Sequence, residues 1–362
     1  MSFRVSLALA TALLMASASG ACSAAGLRVV ARGPALQPFG DRLEVRSQAL
    51  GRDMIVTVTP PLTGLPKHRK VAAIYALDGG YGEAGPIGSA MSGGEAIAPV
   101  LVVAVEWPPG QWKYRDEDLF FGSGTIDGQR LRGRGAAYET FLLKELKPYI
   151  EAHYPADPAQ AILFGHSAAG TFAAGILVRD PDAFAGWIIG SPALEYDPRV
   201  LARAATVSRT VVGKRVFVAA GAAENPTMVA DTHSLAEALS GPGSRLAVRS
   251  KLYPGARHGG YFTPLFAESF AWMLPPPQTY AASAADLASL AGDYRTPDGQ
   301  VLRIIARDDQ LFLRREGRRD RELKPRREGV FEIPELREQV TFSPQGLVAS
   351  IAGARTPAVR VR

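Results

Sequence analysis

A series of nearly uninterrupted apolar runs constrains this chain most. Residues 71–77, 98–105, 161–164 and 184–189 form such runs, and 215–220 and 246–253 are further strand candidates. A strand with apolar side chains at consecutive positions must be buried on both faces, as in a parallel sheet covered by helices. Helical periodicity appears between these runs, at 138–154, 168–178, 234–239 and 261–274. That alternation predicts an α/β fold with a mostly parallel sheet flanked by helices. Ahead of it, 43–48 and 54–58 form two short strands around Gly51-Arg52-Asp53, which predicts a β-hairpin.

The pattern changes at Pro275-Pro276-Pro277. From Ala284 to Arg362 short apolar stretches alternate with turn signals such as Thr296-Pro297-Asp298-Gly299 and Pro344-Gln345-Gly346, which predicts a small all-β domain. This stretch holds no histidine or cysteine, so acid–base or metal chemistry is not expected there. The expected organisation is therefore 1–25 as a signal peptide, 27–274 as the α/β domain, 275–283 as a Pro-rich linker and 284–362 as the β domain. Two or three domains suit 362 residues.

Residues 1–25 combine Arg4, an apolar run over 5–18 and a string of small residues, the signature of a secretory signal cleaved near Ala25. The run is shorter than the ~20 residues a membrane span needs. A periplasmic or secreted protein is expected. The alternative is a lipoprotein signal, with a membrane anchor through lipidated Cys22. Cys22 is the only cysteine, which excludes a disulfide framework and any Cys-rich metal centre. The 41 basic and 35 acidic residues leave a net charge of +6, too modest to imply nucleic-acid binding without a concentrated basic surface.

One constellation carries chemistry. Gly165-His166-Ser167-Ala168-Ala169-Gly170 lies between the strand 161–164 and the helix 168–178. A nucleophilic serine on a sharp strand-to-helix turn requires that placement, because only small neighbours let the backbone fold back. Ala169 stands where a second glycine is usual. In a serine hydrolase of this topology the acid and then the histidine follow in the chain, on loops after later strands. His258, in the loop after 246–253, is the expected base; His166 is expected to point away from the site, and His68 and His153 to be surface residues. Glu224, after 215–220, is the expected acid, with Asp231 as rival and Glu195 and Asp197 as weaker ones. The oxyanion donors are expected at the amide of Ala168 and at Gly80 or Tyr81, on the Gly-rich turn after 71–77. The long segment 107–135 carries Trp112, Arg115, Arg130 and Arg132, the candidate substrate-binding residues for an aromatic anionic ester. No cofactor or metal is expected.

With these residues in place, the span from about 41 to 274 resembles the enterochelin esterase / putative esterase family of α/β-hydrolases. The matching pieces are Leu50-Gly51-Arg52-Asp53, Ile74-Tyr75-Ala76-Leu77-Asp78-Gly79, the Arg115 and Asp118 pair, 141–154, Gly165-His166-Ser167 and Ser191-Pro192. The resemblance implies an α/β-hydrolase fold, a nucleophile at Ser167, a base at His258 and hydrolysis of carboxylic esters or thioesters, ferric-siderophore esters among them. Residues 284–362 resemble the small β domain appended to some secreted serine hydrolases. An acyltransferase on the same scaffold and a non-catalytic binding protein are the alternative functions.

Overall fold

The computed structural model describes residues 26–361 apart from 35–39, 63, 65–69, 94–95, 127, 277–281, 328, 335, 337 and 352–353. The signal-peptide expectation, including Cys22, and His68 lie outside the described residues. The chain divides into two compact units, with the boundary between Pro276 and Pro277.

The first unit is built on a nine-stranded sheet. Its strands are β1 (Arg28–Pro34), β2 (Asp41–Ser47), β3 (Arg52–Thr59), β4 (Val71–Ala76), β5 (Val100–Glu106), β8 (Ala156–His166), β9 (Gly186–Gly190), β10 (Arg215–Gly221) and β11 (Ala247–Tyr253), and β6 (Ser123–Ile126) with β7 (Gln129–Arg132) forms a separate hairpin. The order across the sheet is β1-β2-β3-β5-β4-β8-β9-β10-β11. From β5 to β11 every neighbouring pair is parallel, whereas β1, β2 and β3 join antiparallel at the other edge. Every residue of β4 and β9 is buried, as their unbroken apolar sequences require.

Successive residues of these strands feed two cores. Ala73, Tyr75, Val103, Leu163, Trp187 and Val218 face one side, and Ile74, Val102, Ile162, Ile188 and Phe217 the other. After the single turn α2 (Arg115–Asp118), the helical stretch α3 (Gly135–Thr140) to α4 (Lys147–His153) covers the first face, together with α5 (Ala168–Arg179), α6 (Arg199–Thr210) and α7 (Pro226–Ser240). The second packs against α1 (Ala84–Gly93) and α8 (Phe262–Met273), the latter through Phe262, Leu265, Phe266 and Phe270. Complete burial of a side chain such as Phe266 is worth about 1.5–3 kcal/mol. A turn of π-helix at Phe141–Leu146 lies between α3 and α4. The buried Glu145 within it accepts the Ala49 amide at 2.8 Å, which ties the helix to the β2–β3 turn.

The second unit is a closed barrel of eight antiparallel strands, from β12 (Gly292–Arg295) to β19 (Ala354–Arg360), preceded by α9 (Ala284–Leu290). Its interior is filled by side chains including Leu302, Leu311, Phe331, Val340 and Leu347, with Leu287 of α9 joining them. The expected all-β region is thus a barrel with its own core.

Candidate active site

The parallel strands of the first unit end at one edge of the sheet, and the candidate residues follow those ends. Ser167 stands between β8 and α5 with φ 60° and ψ −129°. A non-glycine residue so far from the common basins costs of order 1–3 kcal/mol and persists only where its surroundings enforce it. The enforcement is visible. Ser167 N–H donates to Gly190 O at 2.9 Å, and Ser167 O accepts from Thr171 N at 3.0 Å. A Cβ on Gly165 would lie 2.0 Å from Ala169 O, and one on Gly170 would lie 2.6 Å from Gly190 O. The close backbone approaches therefore fall on Gly165 and Gly170, which is why the elbow accommodates a buried methyl at Ala169.

His258 follows β11, and its Nδ1 lies 2.7 Å from Glu224 Oε2. Glu224 follows β10; its side chain is fully buried, and its Oε1 accepts from Ser191 Oγ at 2.6 Å and from the Gly221 amide at 2.7 Å. Burial pushes the Glu224 carboxyl up, but the hydrogen bonds from His258, Ser191 and Gly221 outweigh it and leave the group below its ordinary range. Ser191, after β9 and at φ 38°, also shares a hydrogen bond with Tyr261 OH, so the Glu224 carboxylate is held by residues from three successive strand ends. The half-exposed His258 is the member of this set that reaches solvent. Among the described residues Ser167 Oγ makes no hydrogen bond to His258; such bonds commonly close only with substrate present.

The rival acids are occupied elsewhere. Asp231 accepts the Leu194 amide at 3.0 Å, Asp197 pairs with Arg199 and Arg179, and Glu195 is exposed. Asp231 belongs to α7, which starts at Pro226 and not near Ser234 as expected. Asn225 caps it by accepting from Thr227 N–H, and proline suits the first helical position.

Ala168 is the first residue of α5, where amides lack helical acceptors. The second expected donor lies on the turn Asp78–Gly82, whose five residues all have positive φ, from 53° to 71°. Gly80 N–H donates to Leu77 O at 3.0 Å, so that amide is already used inside the turn. Gly79 could not be replaced easily, since its φ of 65° is one that L side chains rarely adopt; a Cβ there would also lie 2.8 Å from the end of the flexible Glu106 side chain. Glu106, at the end of β5, was not singled out in the sequence; burial raises its pKa, with Arg42 opposing.

One expectation is corrected. His166 does not point away: its ring centroid is 4.4 Å from that of His258, and its Nδ1 lies 3.3 Å from Tyr81 OH. Burial, with His258 and Arg115 adding and Glu224 opposing, lowers its pKa to about 3 and holds it neutral. Arg115 and Asp118, named together above as a matching piece of sequence, bond to different residues. The Arg115 guanidinium grips Asp78 at 2.7 and 2.6 Å, while Asp118 pairs with Arg52 and accepts from Trp107 Nε1 at 2.8 Å. Arg115 is therefore committed to the Asp78–Gly82 turn, where Tyr81 OH also donates to Asp78 at 3.0 Å. Trp112 is 56 % exposed and packs edge-on against Trp107 and beside Arg115. Arg130 and Arg132 lie on β7 beside an open recess of about 430 Å³, and their side chains make no hydrogen bond or ion pair among the described residues.

Residues 47–266 match the family model Esterase, described as Putative esterase. The chain is 29 % identical over 153 residues to the ferri-bacillibactin esterase BesA of Bacillus subtilis, covering 38 % of this chain and 51 % of that relative. The match thus spans about half the length of the curated relative. Among solved structures, the BES protein from Bacillus cereus superposes with a TM-score of 0.59 at 21 % identity, over 68 % of this chain and 99 % of that one. The siderophore hydrolase EstA from Aspergillus nidulans gives 0.55 at 19 %, over 67 % and 97 %. The enterobactin esterase FES from Shigella flexneri gives 0.54 at 14 %, over 65 % and 58 %. With an α/β-hydrolase sheet, a serine on its strained elbow and a family match across most of the first unit, the chain belongs to the Esterase family of α/β-hydrolases.

Proposed function

We propose that this chain is a secreted or periplasmic serine ester hydrolase that works through an acyl-enzyme, with Ser167 as nucleophile, His258 as base and Glu224 as the acid. The observation that carries the reading is the backbone of Ser167, held at φ 60° and ψ −129° at the end of β8. It is supported by the Glu224–His258 hydrogen bond of 2.7 Å at the ends of β10 and β11. Glu224 would fix the His258 tautomer and stabilise the imidazolium that forms as Ser167 loses its proton to Nε2. The oxygen of the tetrahedral intermediate would receive the Ala168 amide and, from the Asp78–Gly82 turn, the Gly80 or Tyr81 amide. Water then resolves the acyl-enzyme.

The relatives named above as siderophore, enterobactin and bacillibactin esterases support catecholate or other aryl esters as substrates. In the same proposal the open ring of Trp112 and the cations of Arg130 and Arg132, whose side chains have no partner among the described residues, serve an anionic aryl group. The test is a kcat/KM comparison for anionic and neutral aryl esters of equal size, on wild type, Ser167→Ala and an Arg130→Ala, Arg132→Ala double variant, with and without an alcohol acceptor. The reading expects hydrolysis lost in Ser167→Ala, an anionic preference weakened in the double variant, and free acid as product in both solvents. Retained activity in Ser167→Ala would remove the nucleophile assignment, and ester product with the alcohol would favour acyl transfer.

A further inference from the structure

His166 Nε2 is a buried acceptor with nothing to accept from. The residue is 1 % exposed, and among the described residues this atom has no hydrogen-bond partner. Its tautomer follows from a directional chain. Arg115 holds both oxygens of Asp78, and Tyr81 donates its hydroxyl proton to that same carboxylate. A carboxylate can only accept, so the 3.3 Å contact between Tyr81 OH and His166 Nδ1 needs Nδ1–H as donor. The lone pair therefore sits on Nε2. A polar atom this deep costs roughly 1–3 kcal/mol when left unpaired, so a partner able to take the lone pair would be stabilising.

The neighbours supply the rest of a donor set. One ligand-capable atom from each of His166, His258 and Glu224 lies within 4.8 Å of the other two. His258 is half exposed, which gives an ion a path in. Its Nδ1 is paired with Glu224, and that carboxylate–histidine arrangement leaves Nε2 as the lone-pair donor, the support commonly found behind zinc-bound histidines. Two imidazoles with a carboxylate and no thiolate suit Zn²⁺ and its Irving–Williams neighbours, and suit Mg²⁺ or Ca²⁺ poorly.

We propose that His166 and His258 form a two-imidazole site for a Zn²⁺-class divalent cation, with Glu224 behind His258, and that its occupation switches off ester hydrolysis by engaging the His258 imidazole. The switch rests on the triad reading above; the binding site does not. No covalent or redox step is involved, and removal of the ion restores the free base.

The test pairs direct Zn²⁺ binding, by competition with a chromophoric chelator, with Zn²⁺ inhibition of ester hydrolysis, on the full chain and on His166→Gln and His166→Phe. Activity is expressed as the ratio with and without metal, so that any change in basal turnover cancels. The expected result is one Zn²⁺ per chain at micromolar concentration, inhibition that tracks occupancy and reverses with EDTA, no effect of millimolar Mg²⁺, and at least about tenfold weaker binding and inhibition in both variants. Absence of stoichiometric binding to wild type, or equal sensitivity in the variants, would overturn the site. Binding without inhibition would overturn the switch. If neither variant folds, wild type still decides: bound Zn²⁺ must slow fluorophosphonate labelling of Ser167 in proportion to occupancy, and unchanged labelling overturns the proposal. A chain that binds Zn²⁺ through His166 yet hydrolyses no ester would keep the site and remove the esterase reading, so the two failures are distinguishable.

Discussion

At His166 and Ser167 two adjacent residues occupy environments that their side chains ordinarily avoid. Ser167 takes a strained backbone, and its neighbour buries an imidazole. His166 is neutral in the native state with a pKa of about 3, whereas a histidine in the unfolded chain titrates near 6.5. Between those two values the unfolded chain binds a proton that the native protein does not, so stability falls as pH falls through the window. At 1.36 kcal/mol per pH unit the complete loss is about 4–5 kcal/mol by pH 3. Urea unfolding in chelated buffer from pH 7 to 4 should therefore show a falling stability that flattens in His166→Phe; an identical slope in the variant would refute this account of the residue. This residue also marks a limit of sequence reading. Its position next to Ser167 was evident, but the direction of its ring depends on Tyr81, 85 residues away in the chain, and on His258. The place of Glu224 directly after β10 was legible because a loop that follows an apolar strand run needs no long-range information. Its partners Ser191 and Tyr261 were not, because their hydroxyls meet it only once three strand ends are side by side.

The elbow and the Asp78–Gly82 turn are elements whose shape is set by close backbone approach. A methyl at Gly165 would be driven into Ala169 O, and backbone cannot yield as a flexible side chain can. Gly165→Ala should thus destabilise the first unit by several kcal/mol or prevent soluble expression, on the scale of other severe steric changes, whereas Ala169→Gly should remain folded and lose about 1 kcal/mol of helix propensity. Equal tolerance of both, measured by urea midpoint, would contradict the geometry. The turn depends on charge as well. Arg115 is the bidentate partner of Asp78, whose side chain is fully buried, and removal of one partner from a buried pair costs about 3–5 kcal/mol. Arg115→Ala is expected to lower the unfolding midpoint and the kcat for ester hydrolysis together; a drop in substrate affinity alone, with stability intact, would restore Arg115 to substrate binding. The central strands were legible because burial on both faces leaves unbroken apolar runs. The helix α1 was not, since Gly85, Gly88, Ser89 and Ser92 carry no helical pattern and are buried by packing close to neighbouring elements. The β6–β7 hairpin escaped notice for the opposite reason, its residues being mostly polar and exposed.

The molecule as a whole consists of two units, each with its own core. Every candidate site residue belongs to the first. Removal of 277–362 should leave a folded protein, by circular dichroism, that hydrolyses a small soluble ester with kcat/KM close to that of the full chain. A folded truncation without turnover would mean that the barrel takes part in the site. Sequence composition gave the all-β character of that region through its turn signals, but closure into a barrel depends on the pairing of β12 with β19, whose residues lie some 65 positions apart. The central claim, that Ser167 is an activated nucleophile served by His258, is tested most directly by fluorophosphonate labelling followed by peptide mapping in the presence of a chelator. The account predicts one phosphonate per chain, on Ser167, with labelling abolished in Ser167→Ala and strongly slowed in His258→Ala. A wild-type protein that stays unlabelled, or a label on another residue, would contradict it.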